Sequence, residues 1–214
     1  MTVTGTWGIV LAAGRGERFG EPKQFLSVGG DMLVERSTAV LAAVCEGVVA
    51  VVLPGAPPVS GATATVAGGQ ARADSVRAGL AAVPIAASTV VVHDAAHPLA
   101  TPELVRRVVA AVEAGADAAV PVVPVTETIG EVHDGVLRGT VPKAGLALVQ
   151  MPHAFRADVL RRAHDGDPDV SDEATLMHRL GLTVVTVLGE AANVHVTTPD
   201  ELRLISIVAE QFLD

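Results

Sequence analysis

Gly14 and Gly16 flank Arg15 directly after the apolar run Gly8-Ile9-Val10-Leu11-Ala12-Ala13, and Arg18 and Lys23 follow close behind. A glycine loop at the end of a short strand lets backbone N–H groups approach anionic oxygens, and the two cations supply the charge that a polyphosphate needs. Pro22 stiffens the chain immediately before Lys23. The spacing fits neither the GxxxxGK[ST] phosphate loop nor the GxGxxG dinucleotide fingerprint, whose third glycine would fall at Phe19. Kinase-type and dinucleotide-binding readings are therefore disfavoured, and a grip for a nucleoside triphosphate remains. A solvated basic turn is the bland alternative, against which the adjacent glycines weigh.

A second group of candidates lies further along. Asp94 follows the run Thr89–Val92, which places a carboxylate at the C-terminal end of a strand, where open α/β sheets bind ligands. It suits Mg²⁺ or an acceptor hydroxyl; the plainer role is a turn cap before Ala95-Ala96. Gly68 and Gly69, ahead of Ser75, signal at least a tight turn before a helix. His97 and His195 are far apart and lack ligand-like local spacing, so a shared metal is a weak reading and structural histidines are an equal alternative.

Composition bounds what these residues can serve. With 214 residues, half of them hydrophobic, the chain can bury one substantial core and is expected to be a single domain, 1–214. A formal charge of −9 argues against a nucleic-acid surface, and an aromatic content of 2%, without tyrosine, leaves little for stacking on single strands. The few cations of an acidic protein with anionic substrates must gather at the site, as Arg15, Arg18 and Lys23 do. Cys45 is alone, so an internal disulfide is excluded and a buried thiol is expected. No basic residue precedes Arg15 and no apolar run approaches a membrane span of roughly 18 residues, so a cytoplasmic location is expected.

Apolar strand-like runs recur at Trp7–Leu11, Gly47–Leu53, Ala64–Ala67, Val90–His93, Ala118–Val123 and Thr183–Leu188, mostly separated by helical patterns. That alternation predicts a largely parallel α/β sheet. Thr101-Pro102-Glu103 and Thr198-Pro199-Asp200-Glu201 each place a threonine cap before proline and acid, and Ser171-Asp172-Glu173 has the look of a third helix start. Pro54–Ala62 is expected to be a loop. From Thr126 to Val132 polar and apolar residues alternate before Asp134-Gly135, which predicts a hairpin.

Six blocks, taken in order, carry a resemblance that runs nearly end to end: the opening Ala12-Ala13-Gly14…Pro22-Lys23-Gln24-Phe25, Gly68-Gly69-Gln70-Ala71-Arg72-Ala73-Asp74-Ser75-Val76, His93-Asp94-Ala95-Ala96-His97-Pro98, Pro124-Val125-Thr126-Glu127-Thr128-Ile129, Ser171-Asp172-Glu173-Ala174, and Asn193-Val194-His195-Val196-Thr197. The chain resembles the sugar-phosphate nucleotidyltransferases, and among them the 2-C-methyl-D-erythritol 4-phosphate cytidylyltransferase family. The resemblance implies a Rossmann-like three-layer α/β nucleotidyltransferase domain with a mostly parallel sheet and a projecting β-arm, residues 126–142, that embraces a second subunit. It implies transfer of CMP from CTP to a phosphorylated polyol with release of pyrophosphate. Arg18, Lys23, Lys143 and His195 take the catalytic positions. Ala12, Ala13, Gly14, Gly16, Gly68, Gly69, Ser75, Asp94, Ala95, Ala96, His97 and Thr128 take the substrate-binding ones, with Thr128 and Lys143 serving the partner's acceptor pocket in a homodimer and Asp94 holding Mg²⁺.

The acceptor side departs from the family's pattern, which has Arg where His97 and Lys143 stand, Thr for Met151, Gln for His153 and Lys for His195; it also has Asp-Thr-Ile-Lys for Glu127-Thr128-Ile129-Gly130, and an acid is common at Ala192. Most of these changes remove fixed charge or a hydrogen-bonding group. Another acceptor such as ribitol 5-phosphate, or a catalytically weakened nucleotide-binding paralogue, are the alternatives these departures raise. If His97 and His195 hold a phosphate as cations, acceptor affinity should improve as pH falls from 8 toward 6.

Overall fold

A computed structural model describes residues 2–16, 19–165 and 172–212. In chain order the strands are β1 (Val3–Ala12), β2 (Ser27–Val28), β3 (Asp31–Met32), β4 (Cys45–Val52), β5 (Ala64–Ala67), β6 (Thr89–Asp94), β7 (Ala118–Pro124), β8 (Ile129–His133), β9 (Val136–Val141), β10 (Ala147–Val149), β11 (His153–Arg156) and β12 (Val184–Leu188). The helices are α1 (Leu33–Ala42), α2 (Arg72–Ala82), α3 (Pro102–Glu113), α4 (Ala157–His164), α5 (Glu173–Arg179) and α6 (Pro199–Phe212), with a short 3₁₀ turn at Lys23–Phe25.

One eight-stranded sheet organises the molecule. β5, β4, β1 and β6 lie side by side in parallel, and β12 runs parallel to β7 at the far end. Between β6 and β7 sits β11, antiparallel to both, and β10 extends the antiparallel pairing of β7. The parallel strands are apolar on both faces because helices cover both. Successive residues accordingly divide between two cores: Ile9, Val49, Val51, Val90 and Val92 face α2, α4 and α5, whereas Val10, Val48, Ala50, Val52 and Val91 face α1 and α3. This is the expected three-layer α/β architecture. A smaller apolar cluster of Val28, Leu33, Val196, Ile205 and Ala209 holds α6 and the segment before it against β2 and α1.

Helix starts follow the threonine chemistry. Thr101 Oγ1 accepts from Leu104 N at 3.2 Å and Thr198 Oγ1 from Glu201 N at 3.3 Å. At α5 the cap is Asp172, whose carboxylate accepts from Thr175 N at 2.8 Å and from Thr175 Oγ1 at 2.7 Å; Ser171 lies outside the described residues. Cys45 is buried at the start of β4, and burial pushes its thiol up to about 12. Among the described residues no helix is long and apolar enough to cross a membrane.

β8 and β9 form a hairpin of their own, apart from the main sheet. Asp134 and Gly135 both have positive φ, 51° and 75°, the backbone of a two-residue turn that matches strand twist. The first strand begins at Ile129, three residues later than the alternation suggested.

Candidate functional site

The chain changes direction across the sheet at β1, since β4 and β5 are laid down on one side of it and β6 on the other. Crevices at the C-terminal ends of strands beside such a reversal are where open α/β sheets bind ligands. Leu11 of β1 is in register with Asp94 of β6, so the loops that follow these strands open side by side. A cavity of about 270 Å³ occupies that crevice, lined by Ala12, Ala13, Gly14, Lys23, Gly69, Ser75, Asp94, Ala95, Ala96 and His195 from the expected set. Gln24, Gln70, Ala71 and Arg72 also line it. Ten of the expected positions thus meet at one place although they come from widely separated parts of the chain.

Local chemistry shapes the two glycine loops. Gly16 has φ +70° and its backbone abuts the Glu21 carbonyl, so a Cβ there would overlap main chain; Phe19 N and Gly20 N donate back to Gly16 O at 2.8 and 2.7 Å. Gln24, which sequence reasoning passed over, is buried and donates from Nε2 to Gly14 O at 2.9 Å, tying the 3₁₀ turn to the glycine loop. Lys23 reaches from that turn to the carbonyl of Val196, which brings its ammonium beside the segment that carries His195. Gly68 is required for a different reason: a Cβ would run into Ala13 and the Ser75 hydroxyl. Ser75 Oγ accepts from Gly69 N and donates to Ala71 O, both at 3.3 Å, while Asp74 accepts from Ala71 N at 2.9 Å. Gly16 and Gly68 therefore shape the cavity without lining it. Arg18 lies outside the described residues.

A second cavity of about 620 Å³ adjoins the first, with Arg72, Asp94 and His195 common to both walls. Its other walls include His97, Met151, His153, Asp172 and His178. Segment 189–197 is held over it by Gln150, whose Nε2 donates to Glu190 O at 2.8 Å and Asn193 O at 3.1 Å, and by Asn193 Nδ2 donating to Met151 O at 2.6 Å. These bonds set His195 against His97, with ring centroids 4.9 Å apart and planes 28° from parallel.

Charge here is arranged unlike the expectation. Burial, and then the charge of His195, push His97 down to about 4, and burial takes His153 to about 4 and His93 to about 3. These imidazoles are neutral at pH 7 in the free protein, because desolvation outweighs the nearby Asp94, so His97 would hold a phosphate as a cation only if the bound dianion itself drew on the proton. Arg72 was missed as a site residue although it stands within a quoted block. Its guanidinium donates to Asp94 Oδ1 at 2.6 Å and to Glu173 Oε2 at 3.0 Å, the latter carboxylate being fully buried. Burial works to raise the Asp94 carboxyl, but the Arg72 charge and hydrogen bond outweigh it and hold Asp94 below the usual carboxylate range.

Among the described residues no cluster of three or more His, Cys, Asp or Glu side chains is placed to hold a metal ion. Asp94, with one oxygen on Arg72, is a single-carboxylate donor. That suits Mg²⁺ where substrate phosphates complete the coordination, the usual way this ion is held at nucleotide sites. Thr128 and Lys143 line neither cavity; Lys143 Nζ donates to Thr126 O at 2.8 Å on the exposed hairpin.

A switch-point crevice with a glycine loop, a lysine and a strand-end carboxylate, opening into a second pocket, defines a nucleotide-handling α/β protein with room for a second substrate. The model of the IspD family, 2-C-methyl-D-erythritol 4-phosphate cytidylyltransferase, matches residues 7–211. A protein of that description from Nocardia farcinica is 43% identical, with 96% of this chain and 93% of the relative covered; one from Frankia casuarinae is 42% identical, with 92% and 78% covered. The crystal structure of the Thermus thermophilus protein of the same description superposes with a TM-score of 0.83 at 36% identity, covering 95% of this chain and 98% of that one. The chain belongs to the 2-C-methyl-D-erythritol 4-phosphate cytidylyltransferase family.

Proposed function

We propose that the protein transfers CMP from CTP to 2-C-methyl-D-erythritol 4-phosphate and releases pyrophosphate. The observation that carries this reading is the pair of adjoining cavities that share Arg72, Asp94 and His195, one bearing the glycine loop and Lys23, the other walled by His97, Met151 and His153, positions of the expected acceptor side. Family membership supplies the identity of the two substrates. CTP lies in the first cavity, its base and ribose against Gly69 and Ser75 and its phosphates over Ala12–Gly14 and Lys23. An oxygen of the acceptor phosphate, already anionic, attacks the α-phosphorus, and the bond to the pyrophosphate oxygen breaks. A strong base is not needed; positioning and charge compensation are.

Lys23 meets the charge that grows on the phosphoryl oxygens, and its bond to the Val196 carbonyl holds it over the crevice. Arg18 serves the departing pyrophosphate. Asp94 faces the junction of the cavities, where it orients the acceptor or holds Mg²⁺, which when bound neutralises triphosphate charge. His97, stacked against His195, offers the acceptor an N–H donor rather than a fixed cation. The site is completed in a homodimer acting in the cytoplasm, with Thr128 and Lys143 delivered by the partner's hairpin. The exposed Val132 and Leu137 on β8 and β9, 60% and 64% accessible, support that role. Pyrophosphate release from CTP and Mg²⁺ is measured across 2-C-methyl-D-erythritol 4-phosphate, ribitol 5-phosphate and other polyol and sugar phosphates. Turnover greatest with the first is expected. Higher turnover with another acceptor would replace it, and none with any would leave a nucleotide-binding paralogue.

A further inference from the structure

Glu173 does none of the jobs that the reaction gives to side chains, yet it is fully buried beneath the site. It opens α5, a helix fixed at its start by the Asp172 cap. Its Oε2 accepts from Arg72 Nε at 3.3 Å and from Nη2 at 3.0 Å, and the remaining arm of the same guanidinium, Nη1, donates to Asp94 Oδ1 at 2.6 Å. Glu173 Oε1 is buried without a hydrogen-bond partner among the described residues, so Arg72 is the group to which this carboxylate is bound. Arg72 is itself the first residue of α2, directly after the loop that faces the nucleotide, and it lines both cavities.

Stability is a poor explanation for such a cluster. Burying charges is costly, and apolar replacements of similar volume are often as stable or more so. What the cluster provides is geometry. A guanidinium is planar and offers its donors in a fixed fork, so a carboxylate on one edge fixes where the other edge points. Here one edge is held by α5 and the other meets the last residue of β6, while the stem springs from α2. Three elements that are distant in sequence are thereby referred to one rigid group. A lysine, a point charge on a flexible stem, could not impose that angle.

We propose that Glu173 and Arg72 are positioning residues for cytidylyl transfer: Glu173, through the Arg72 guanidinium, fixes the Asp94 carboxylate at the junction of the nucleotide and acceptor cavities. The idea rests on the transfer reaction proposed above and adds to it the means by which the acceptor-side carboxylate is aimed. It also assigns the charge of Arg72: two carboxylates already claim it, so it aims Asp94, and the triphosphate charge is met by Lys23 and Arg18.

The test is a double-mutant cycle on the full chain between Glu173→Gln and Asp94→Asn, with kcat and both KM values measured and folding checked by circular dichroism. Wild-type turnover is established first, so an inactive wild type refutes the reaction and not the relay. Glu173→Gln alone is expected to lower kcat by on the order of 10- to 100-fold, the range that a misplacement of about 1 Å costs, with KM for CTP unchanged. In the Asp94→Asn background the same change should cost nothing further. Equal losses in both backgrounds would show that Glu173 only supports the fold and would overturn the proposal. Arg72→Lys, which keeps the charge, should fail to restore kcat; full activity in that variant would also overturn it. A crystal structure of Glu173→Gln decides independently of turnover: Arg72 is expected to leave Asp94, and an unmoved contact would refute the relay.

Discussion

Removing the ammonium of Lys23 is the most direct perturbation of the proposed triphosphate grip. The side chain starts on the 3₁₀ turn, lines the nucleotide cavity and is tethered at its tip to the carbonyl of Val196. Its charge is thus held before substrate arrives, the condition under which a donor stabilises a transition state without reorganising. Losing one such donor typically costs about 10² to 10³ in kcat, or roughly 2.7–4 kcal/mol. The structural cost of Lys23→Ala is far smaller. Its hydrogen bond to the part-buried Val196 carbonyl is worth about 1 kcal/mol, which for a chain of this size lowers Tm by only about 2–4 °C. The two effects are therefore separable by at least about 1.5 kcal/mol. Pyrophosphate release at saturating CTP and acceptor, read beside a thermal melt, should show activity down at least about a hundredfold in a protein that melts nearly as the wild type does. Near-normal turnover in folded Lys23→Ala would place the phosphates elsewhere and remove the reading of the loop.

Burial, backbone crowding and the exposed hairpin each give a further outcome. His93, His97 and His153 are held at about 3, 4 and 4 by burial, below the ordinary 6.5, so the unfolded chain binds more protons between those values; stability should fall as pH drops from 6.5 toward 4, by up to about 1.4 kcal/mol per pH unit per group, and a melting temperature flat across that window would show that these rings are not buried neutral. Gly68→Ala sets a methyl against Ala13 and Ser75, a strain of about 1–3 kcal/mol in a packed position, and should raise KM for CTP while leaving the acceptor KM alone; an unchanged CTP KM would show that this loop does not bear on the nucleotide. Leu137→Asp on the hairpin should give a monomer by light scattering with activity restored in part by mixing with a Lys23→Ala subunit, whereas a fully active monomer would remove the hairpin from the site.

The parallel core was legible because its strands are apolar on both faces, a pattern that only a sheet covered twice can use. β1, β4, β5, β6, β7 and β12 all lie where apolar runs stood. β11 was not legible. His153-Ala154-Phe155-Arg156 has no strand-like alternation and owes its place to pairing with β6 and β7, neighbours that no local pattern announces. The glycine loop, Lys23 and Asp94 were found because phosphate chemistry restricts residue types. Gln24 was passed over because its role is a bond to the Gly14 carbonyl, which a sequence does not display. Arg72 and Glu173 stood in quoted blocks without a function, since 101 positions separate two groups that only folding brings to 3.0 Å.

The acceptor side shows how residue identity and charge part company. Counted by type, His97 and His195 offered a pair of possible cations for a phosphate, with His153 close by. Desolvation decides otherwise for His97 and His153, which are buried enough to lose the proton well below neutrality. A neutral imidazole can donate one N–H to a phosphate oxygen, whereas arginine presents a charged fork of several. The free energy that a fixed cation would contribute to acceptor binding must then come from elsewhere in the assembled site. Among the described residues the lysine and arginine side chains lining the two cavities are Lys23 and Arg72, the latter already paired with two carboxylates, and a partner's hairpin would add Lys143. Replacing His97 with arginine should accordingly tighten the polyol phosphate and leave CTP unaffected, measured as the two KM values at pH 7.5. If the acceptor KM rises instead, His97 is reading a hydroxyl and not the phosphate.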